Sequence, residues 1–331
     1  MKRLLVATIL LFPTVVPAAA AGKRPITLDD FFKLKRIADP QISPDGKHVV
    51  YVVGEVDLAG NKITNSLWLA PTDKAEPRQL TNPPSGKKDR HPRWSPDSKR
   101  ILFESNRSGD SQLWIIDVSG GEARQVTSLS TGANTGIWSP DGKHIAFVSA
   151  VWPEYSDKPF KESDALNKKR KEEMEKKPVK ARVFTKLFYR HWDEWVEDKR
   201  LHLFVMPIGA RRVSEGFAES KDVTPGDRDA YPTSSTFSVG DDFTFSPDSK
   251  YLVYTAPPER NEAWSTNYDI WRVPITGGKA ENLTKDNAAA DGAPRFSPDG
   301  KLLAYRAQRR PGFEADRWEL LVVDTDGRGA I

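Results

Sequence analysis

Ser43-Pro44-Asp45-Gly46-Lys47 stands immediately before an apolar run at 49–53. The chain repeats the phrase at 95–99, 139–143, 246–250 and 297–301, with Ser98 and Ser249 taking the place of glycine in two copies. Proline presets φ at the first central position of a turn, aspartate can accept from the backbone two residues on, and glycine takes the positive φ that closes a hairpin. Each copy therefore reads as a turn that launches a strand, at 49–53, 101–103, 145–148, 252–254 and 302–305.

The segments after each launched strand repeat too. A second apolar run comes at 67–69, 113–116, 203–205, 270–273 and 320–323, and four units then close on a short segment ending in Thr81, Thr127, Thr224 or Thr284. From the serine of the turn to that threonine the chain advances 38, 32, 85 and 38 residues. Three of these spacings are close to the length of a four-stranded propeller blade. The third unit is the same blade with an insertion at about 152–200. Repeats of this length argue for radial stacking rather than a flat sandwich. The predicted fold is an all-β propeller of four-stranded blades, with five blades present and the last incomplete.

At 331 residues, with ten Trp and fifteen Phe, the chain can bury a substantial core. Its net charge of +4 is a weak, dispersed excess that does not suggest nucleic acid as a partner. The absence of cysteine excludes a disulfide framework, a thiolate metal site and a thiol nucleophile. Lys2 and Arg3 precede an apolar stretch at 4–16, then Pro17 and the small residues 18–21. That pattern reads as a secretory signal peptide cleaved after Ala20 or Ala21, which predicts an exported protein, periplasmic or secreted, with no membrane attachment after cleavage. Residues 22–40 read as a leading helix and linker: Thr27 and Asp30 form a capping-box-like start, Leu28, Phe31, Phe32 and Ile37 its buried side, and Asp39-Pro40 its stop. The propeller then occupies 41–331.

The insertion has two parts. Residues 162–177 are nearly all charged and read as a solvated helix ended by Pro178. Residues 187–195, Leu-Phe-Tyr-Arg-His-Trp-Asp-Glu-Trp, pack aromatic rings, cations and carboxylates together. Such a mixture serves either as a half-buried strand whose charges pair among themselves or as a cavity wall, where carboxylates beside aromatic faces would hold a cationic group. Arg190, Trp192, Asp193, Glu194 and Trp195 are the candidate substrate-binding residues.

Catalytic phrases are missing. The chain contains no G-x-S-x-G, no H-E-x-x-H, no phosphate-binding or dinucleotide glycine motif, and its five histidines lack metal-ligand spacing. His48 and His144 follow repeat turns and read as blade surface. No catalytic residue, metal site or cofactor is expected. The fifth unit has a turn and two strand runs but no closing threonine segment, which leads us to expect a piece of a longer protein.

The repeated turns, the aromatic residue before four of them (Trp94, Trp138, Phe245, Phe296) and above all the stretch from Arg190 through His191, Trp192 and Asp193 to Val205 resemble the N-terminal propeller of prolyl oligopeptidase-family serine peptidases. The subgroup it resembles is that of dipeptidyl peptidase V and acylaminoacyl-peptidase. Where similar proteins have Asp-Gly before Lys-Arg, this chain has Glu197-Asp198. The resemblance implies a propeller that gates short peptides toward a C-terminal α/β-hydrolase domain bearing a Ser, Asp, His triad; none of those positions lies in this chain. It also implies, by analogy, that Asp193 or Glu194 could hold the free amino terminus of a peptide. The turns also occur in the propeller of the Tol-system translocation protein, so a periplasmic protein-binding scaffold is the alternative reading.

Overall fold

Each of the five repeated turns is built by the same four hydrogen bonds. In the first, the Ser43 hydroxyl donates to Asp45 Oδ1 (2.6 Å), Lys47 N–H donates to the same oxygen (3.1 Å), His48 N–H donates to Ser43 Oγ (3.0 Å) and Gly46 N–H donates to the Ser43 carbonyl (2.9 Å). The other four copies repeat these bonds around Asp97, Asp141, Asp248 and Asp299. Acceptance from the serine hydroxyl, then from the lysine N–H, holds all five carboxyls below the usual aspartate range.

The computed structural model describes residues 24–325 except 74, 185, 186, 188, 192, 193, 196, 197, 209–218, 233–240 and 260–262, and only the backbone of 191 and 194. The signal-peptide expectation at 1–21 lies outside them. The chain divides into two units after Leu34. In the first, helix α1 (Leu28–Lys33) starts on the expected capping box, Thr27 with Asp30, and buries none of its residues. It is shorter than expected, because the residues around Asp39-Pro40 are already a strand in the second unit.

That unit is a series of antiparallel meanders. Blade 1 is β1 (Arg36–Ile42), β2 (His48–Asp57), β3 (Lys62–Pro71) and β4 (Arg78–Gln79). Blade 2 is β5 (Asp89–Trp94), β6 (Arg100–Ser105), β7 (Gln112–Asp117) and β8 (Arg124–Gln125). Blade 3 starts with β9 (Asn134–Trp138) and β10 (His144–Val151). It is interrupted by helix α2 (Phe160–Lys176) and the hairpin β11 (Arg190–His191) and β12 (Glu194–Trp195), and resumes with β13 (Arg200–Pro207) and β14 (Lys221–Asp222). Blade 4 is β15 (Phe243–Phe245), β16 (Tyr251–Ala256), β17 (Asp269–Pro274) and β18 (Glu281–Asn282). Blade 5 shows three strands among the described residues, β19 (Asp291–Phe296), β20 (Leu302–Ala307) and β21 (Glu319–Asp324).

Apolar clusters join the blades in sequence order. Leu67, Leu69, Ile101 and Phe103 fill the space between blades 1 and 2; Leu113, Ile145 and Phe147 that between 2 and 3. Leu203, Phe245 and Tyr254 fill 3 to 4, and Ile270, Leu303 and Val323 fill 4 to 5. Fully buried rings such as Phe103 and Phe147 each contribute on the order of 2 kcal/mol by leaving water. In blades 1 to 4 the closing threonine ties the last segment to the third strand. The hydroxyls of Thr81, Thr127, Thr224 and Thr284 accept from the N–H of Leu67, Leu113, Leu203 and Ile270 at 2.8–2.9 Å.

Four first strands share a bulge. Asp39, His91, Thr135 and Ala293, each four residues before a turn serine, have φ between 47° and 56°, and the pairing register shifts there. After the bulge, side chains of non-neighbouring blades meet. Arg93 on β5 binds Asp39 on β1 (2.9 Å) and Asp241, just before β15 (3.1 Å), and Arg295 on β19 also binds Asp241. The first strands of blades 1, 2, 4 and 5 thus converge on one chain of ion pairs.

Candidate functional site

The insertion departs from the repeat and carries the candidate residues. Its helix α2 is charged but not free in solvent: Phe160 packs edge-on against Phe204, and Asn167 is buried, with its Oδ1 accepting Trp152 N–H at 2.9 Å and its amide donating to the Ser163 carbonyl. Asp164 accepts from the N–H and hydroxyl of Ser130, both at 2.8 Å, and Lys171 pairs with Asp110 at 2.5 Å. The expectation of a purely solvated helix is corrected on this point. One face is moored to blades 2 and 3 by polar side chains that a hydrophobicity pattern does not register.

Beyond α2 the described residues of the connecting segment have no regular structure before the hairpin, where Arg190 pairs with Trp195 and His191 with Glu194 across the strands. Trp192 and Asp193, which connect the two strands, lie outside the described residues, as does the side chain of Glu194. The structure therefore places Arg190 and Trp195, both exposed, at the base of the hairpin. Trp195 stacks on Phe184 at 5.4 Å and lies 6.5 Å from Tyr189, and the Arg182 guanidinium sits 5.2 Å over its ring.

Between this aromatic group and α2 lies a cavity of about 480 Å³. Its floor is Trp152, which is buried and carries Arg170 over its ring at 4.9 Å and Lys199 at 4.8 Å. Its walls include Met174, Phe184 and Arg182, with Lys177, Glu173 and Asp198 supplying further charges. In this cavity the described aromatic faces already hold cations of the protein itself. The volume lies in the range of small-molecule sites, and the lining has apolar walls with a few converging charges.

Most of these residues escaped the sequence reading. A signal was present: Lys176, Lys177, Lys180, Arg182, Lys186 and Arg190 follow one another with no Asp or Glu among them and with Val179, Val183, Phe184, Leu187 and Tyr189 interleaved. By itself it points to no cavity, because the helix and the aromatic stretch are separate along the sequence and only the fold closes them on one space.

Histidine side chains among the described residues can be placed in the blades. His202 is fully buried, with Nδ1 2.7 Å from Asp222 and Nε2 2.9 Å from the Gly226 carbonyl, so both nitrogens are engaged in holding a turn of blade 3. Burial, then the neighbouring Arg93, pushes His91 down to about 3 despite Asp39 nearby. His48 leans on Trp94, with ring centres 6.4 Å apart. Among the described residues there is no cluster of three or more His, Asp or Glu able to hold a metal ion. Nor, among them, is any helix long and apolar enough to cross a membrane.

Comparison with known proteins places this architecture. A family model described as the TolB beta propeller domain matches residues 30–156. Dipeptidyl-peptidase 5 of Porphyromonas gingivalis is 31% identical over 304 residues, covering 90% of this chain and 41% of that protein. The Pyrococcus horikoshii acylaminoacyl peptidase has a similar fold, with a TM-score of 0.59 at 16% identity over 90% of this chain and 39% of that one. The β-propeller domain of the Trilobed protease from Pyrococcus furiosus gives a TM-score of 0.52 at 15% identity, covering 90% of this chain and 70% of that one. The chain spans less than half the length of the dipeptidyl-peptidase 5 sequences it matches.

Proposed function

From a chain that is a TolB-like β-propeller related to the prolyl oligopeptidase-family peptidases, we propose that it is the non-catalytic part of an exported serine peptidase of the dipeptidyl-peptidase type. In this reading it admits short peptides to an α/β-hydrolase domain and turns folded proteins away. The observation that carries the reading is similarity to dipeptidyl-peptidase 5 along nine-tenths of the chain, together with a sequence that has no nucleophile elbow. The ion pairs that join the first strands of blades 1, 2, 4 and 5 support a gating role, since they tie those strands to one another. The leading 1–21 acts as a signal peptide, and the expected leader at 22–40 shortens to the residues before β1, which at Arg36 already belongs to blade 1.

A chimera tests this, with the chain replacing the matching part of the Porphyromonas gingivalis relative. It is expected to cleave dipeptidyl chromogenic substrates and to spare a folded protein, while the isolated chain cleaves neither. Hydrolysis by the isolated chain, or equal cleavage of peptide and folded protein by the chimera, would overturn the proposal. Fusing residues 1–30 to a phosphatase that is active only outside the cytoplasm tests export, with activity expected and its absence refuting it. The scaffold alternative draws on the TolB description of the matching family model. It requires a stoichiometric protein partner in a pull-down with the mature chain.

A further inference from the structure

The cavity in the insertion has a polarity opposite to the one expected of a pocket for an amino terminus alone. Cations surround its floor and rim: Arg170 and Lys199 over Trp152, and Arg182 and Lys177 on the walls. Arg170 is neutralised by Glu154, but Lys177 makes no ion pair among the described residues. Against these stand Glu173, 4.0 Å from Lys169, and Asp198. Basic and acidic side chains therefore line a common space with aromatic and thioether walls. A sphere of about 480 Å³ is about 10 Å across, and an extended dipeptide spans about 7 Å.

The geometry points to a binding site for short zwitterionic peptides in this cavity, apart from any catalytic domain. The peptide's α-carboxylate meets Lys177 and the neighbouring guanidinium groups. An apolar side chain lies against Met174 and Phe184, and the α-ammonium meets Asp198. A cation and a carboxylate lining one cavity would recognise both ends of a dipeptide at once, whereas a longer chain would have to leave through the cavity mouth. The choice of a peptide as ligand rests on the peptidase reading above. The carboxylate preference rests on the charges of the cavity alone. No bond is made or broken here: the site would retain a product-sized peptide beside the propeller.

Calorimetric titration of the full chain with Ala-Phe, Ala-Phe-amide, N-acetyl-Ala-Phe and Ala-Glu-amide tests the proposal. Ala-Phe should bind at least tenfold more tightly than its amide, about 1.4 kcal/mol, and several-fold more tightly than its acetylated form. Lys177→Gln should weaken Ala-Phe about fivefold, and Asp198→Asn should abolish the difference between free and acetylated peptide. Lys168→Gln, on the exposed side of α2, should change nothing. Equal binding of Ala-Phe and its amide, tight binding of Ala-Glu-amide, insensitivity to Lys177→Gln, or no heat up to about 10 mM peptide would each overturn it. Failure here with a chimera that still cleaves dipeptidyl substrates and spares folded protein would leave the peptidase reading standing.

Discussion

The fourth residue of each repeated turn shows how much one position records of its surroundings. Gly46, Ser98, Gly142, Ser249 and Gly300 all have φ between 59° and 72°, a region that costs any residue with a Cβ. Serine is nevertheless present where it links two turns: Asp45 N–H donates to Ser98 Oγ at 3.1 Å, and Asp141 N–H donates to Ser249 Oγ at 3.2 Å. Glycine is present where a turn meets the proline of the preceding one, since a Cβ on Gly300 would lie 3.1 Å from Pro247 Cγ. Around Gly46 there is nothing within 4 Å. Gly46→Ala is therefore expected to cost only the backbone term, about 1 kcal/mol, and Gly300→Ala clearly more; equal shifts in urea midpoint would refute the steric account. Ser98→Ala should lose about 1 kcal/mol with the hydrogen bond, whereas Ser98→Gly should lose less because it also relieves the backbone.

At the scale of elements, α2 illustrates what a sequence pattern conceals. Its charged composition reads as a solvated face, yet buried Asn167 satisfies the Trp152 N–H. Asn167→Leu should destabilise by about 1–3 kcal/mol by leaving that donor unpaired, with faster amide exchange at Trp152; an unchanged exchange rate would sink the idea. The strands were legible because turn chemistry and apolar runs are local: the apolar run at 101–103 became β6, and Thr127 took its place behind β8. The bulges at Asp39, His91, Thr135 and Ala293 were not legible. Their side chains share no chemistry, and the left-handed backbone answers to the neighbouring blade, as when Thr135 N–H donates to Glu104 and Ala293 N–H to Thr255. The cavity was barely legible: of the expected residues among those described, only Trp195 touches its border, by stacking on Phe184, while Trp152 and Lys177 reach it only through the tertiary course of the insertion.

For the molecule as a whole, buried charges set opposing pH limits on stability. Burial alone would raise the Asp241 carboxyl, but Arg93 and Arg295 outweigh it and hold the group low, so its contribution is present above about 3.8 and is lost in acid. His91, pushed down to about 3, works in the same direction: below about 6.5 the unfolded chain takes up a proton that the folded one refuses. Blades 4 and 5 do the reverse. Burial raises Asp269 to about 6 and Asp291 to about 7, and Asp291 Oδ2 has no hydrogen-bond partner, although Asn287 donates to its other oxygen at 2.8 Å. The equivalent Asp89 in blade 2 is paired with Arg107 at 2.5 Å, whereas Arg309 in blade 5 is drawn away to Glu319. A raised carboxyl favours the folded state fully below the unfolded value near 3.8, and that advantage disappears as pH rises through about 7. Asp291→Asn keeps the bond from Asn287 and removes the ionisation. It should raise Tm at pH 8 by several degrees, on the order of 1–2 kcal/mol, and leave Tm at pH 4 nearly unchanged. A thermal scan in which the variant and the parent lose stability in parallel between pH 5 and pH 8 would show that Asp291 does not set the alkaline limit.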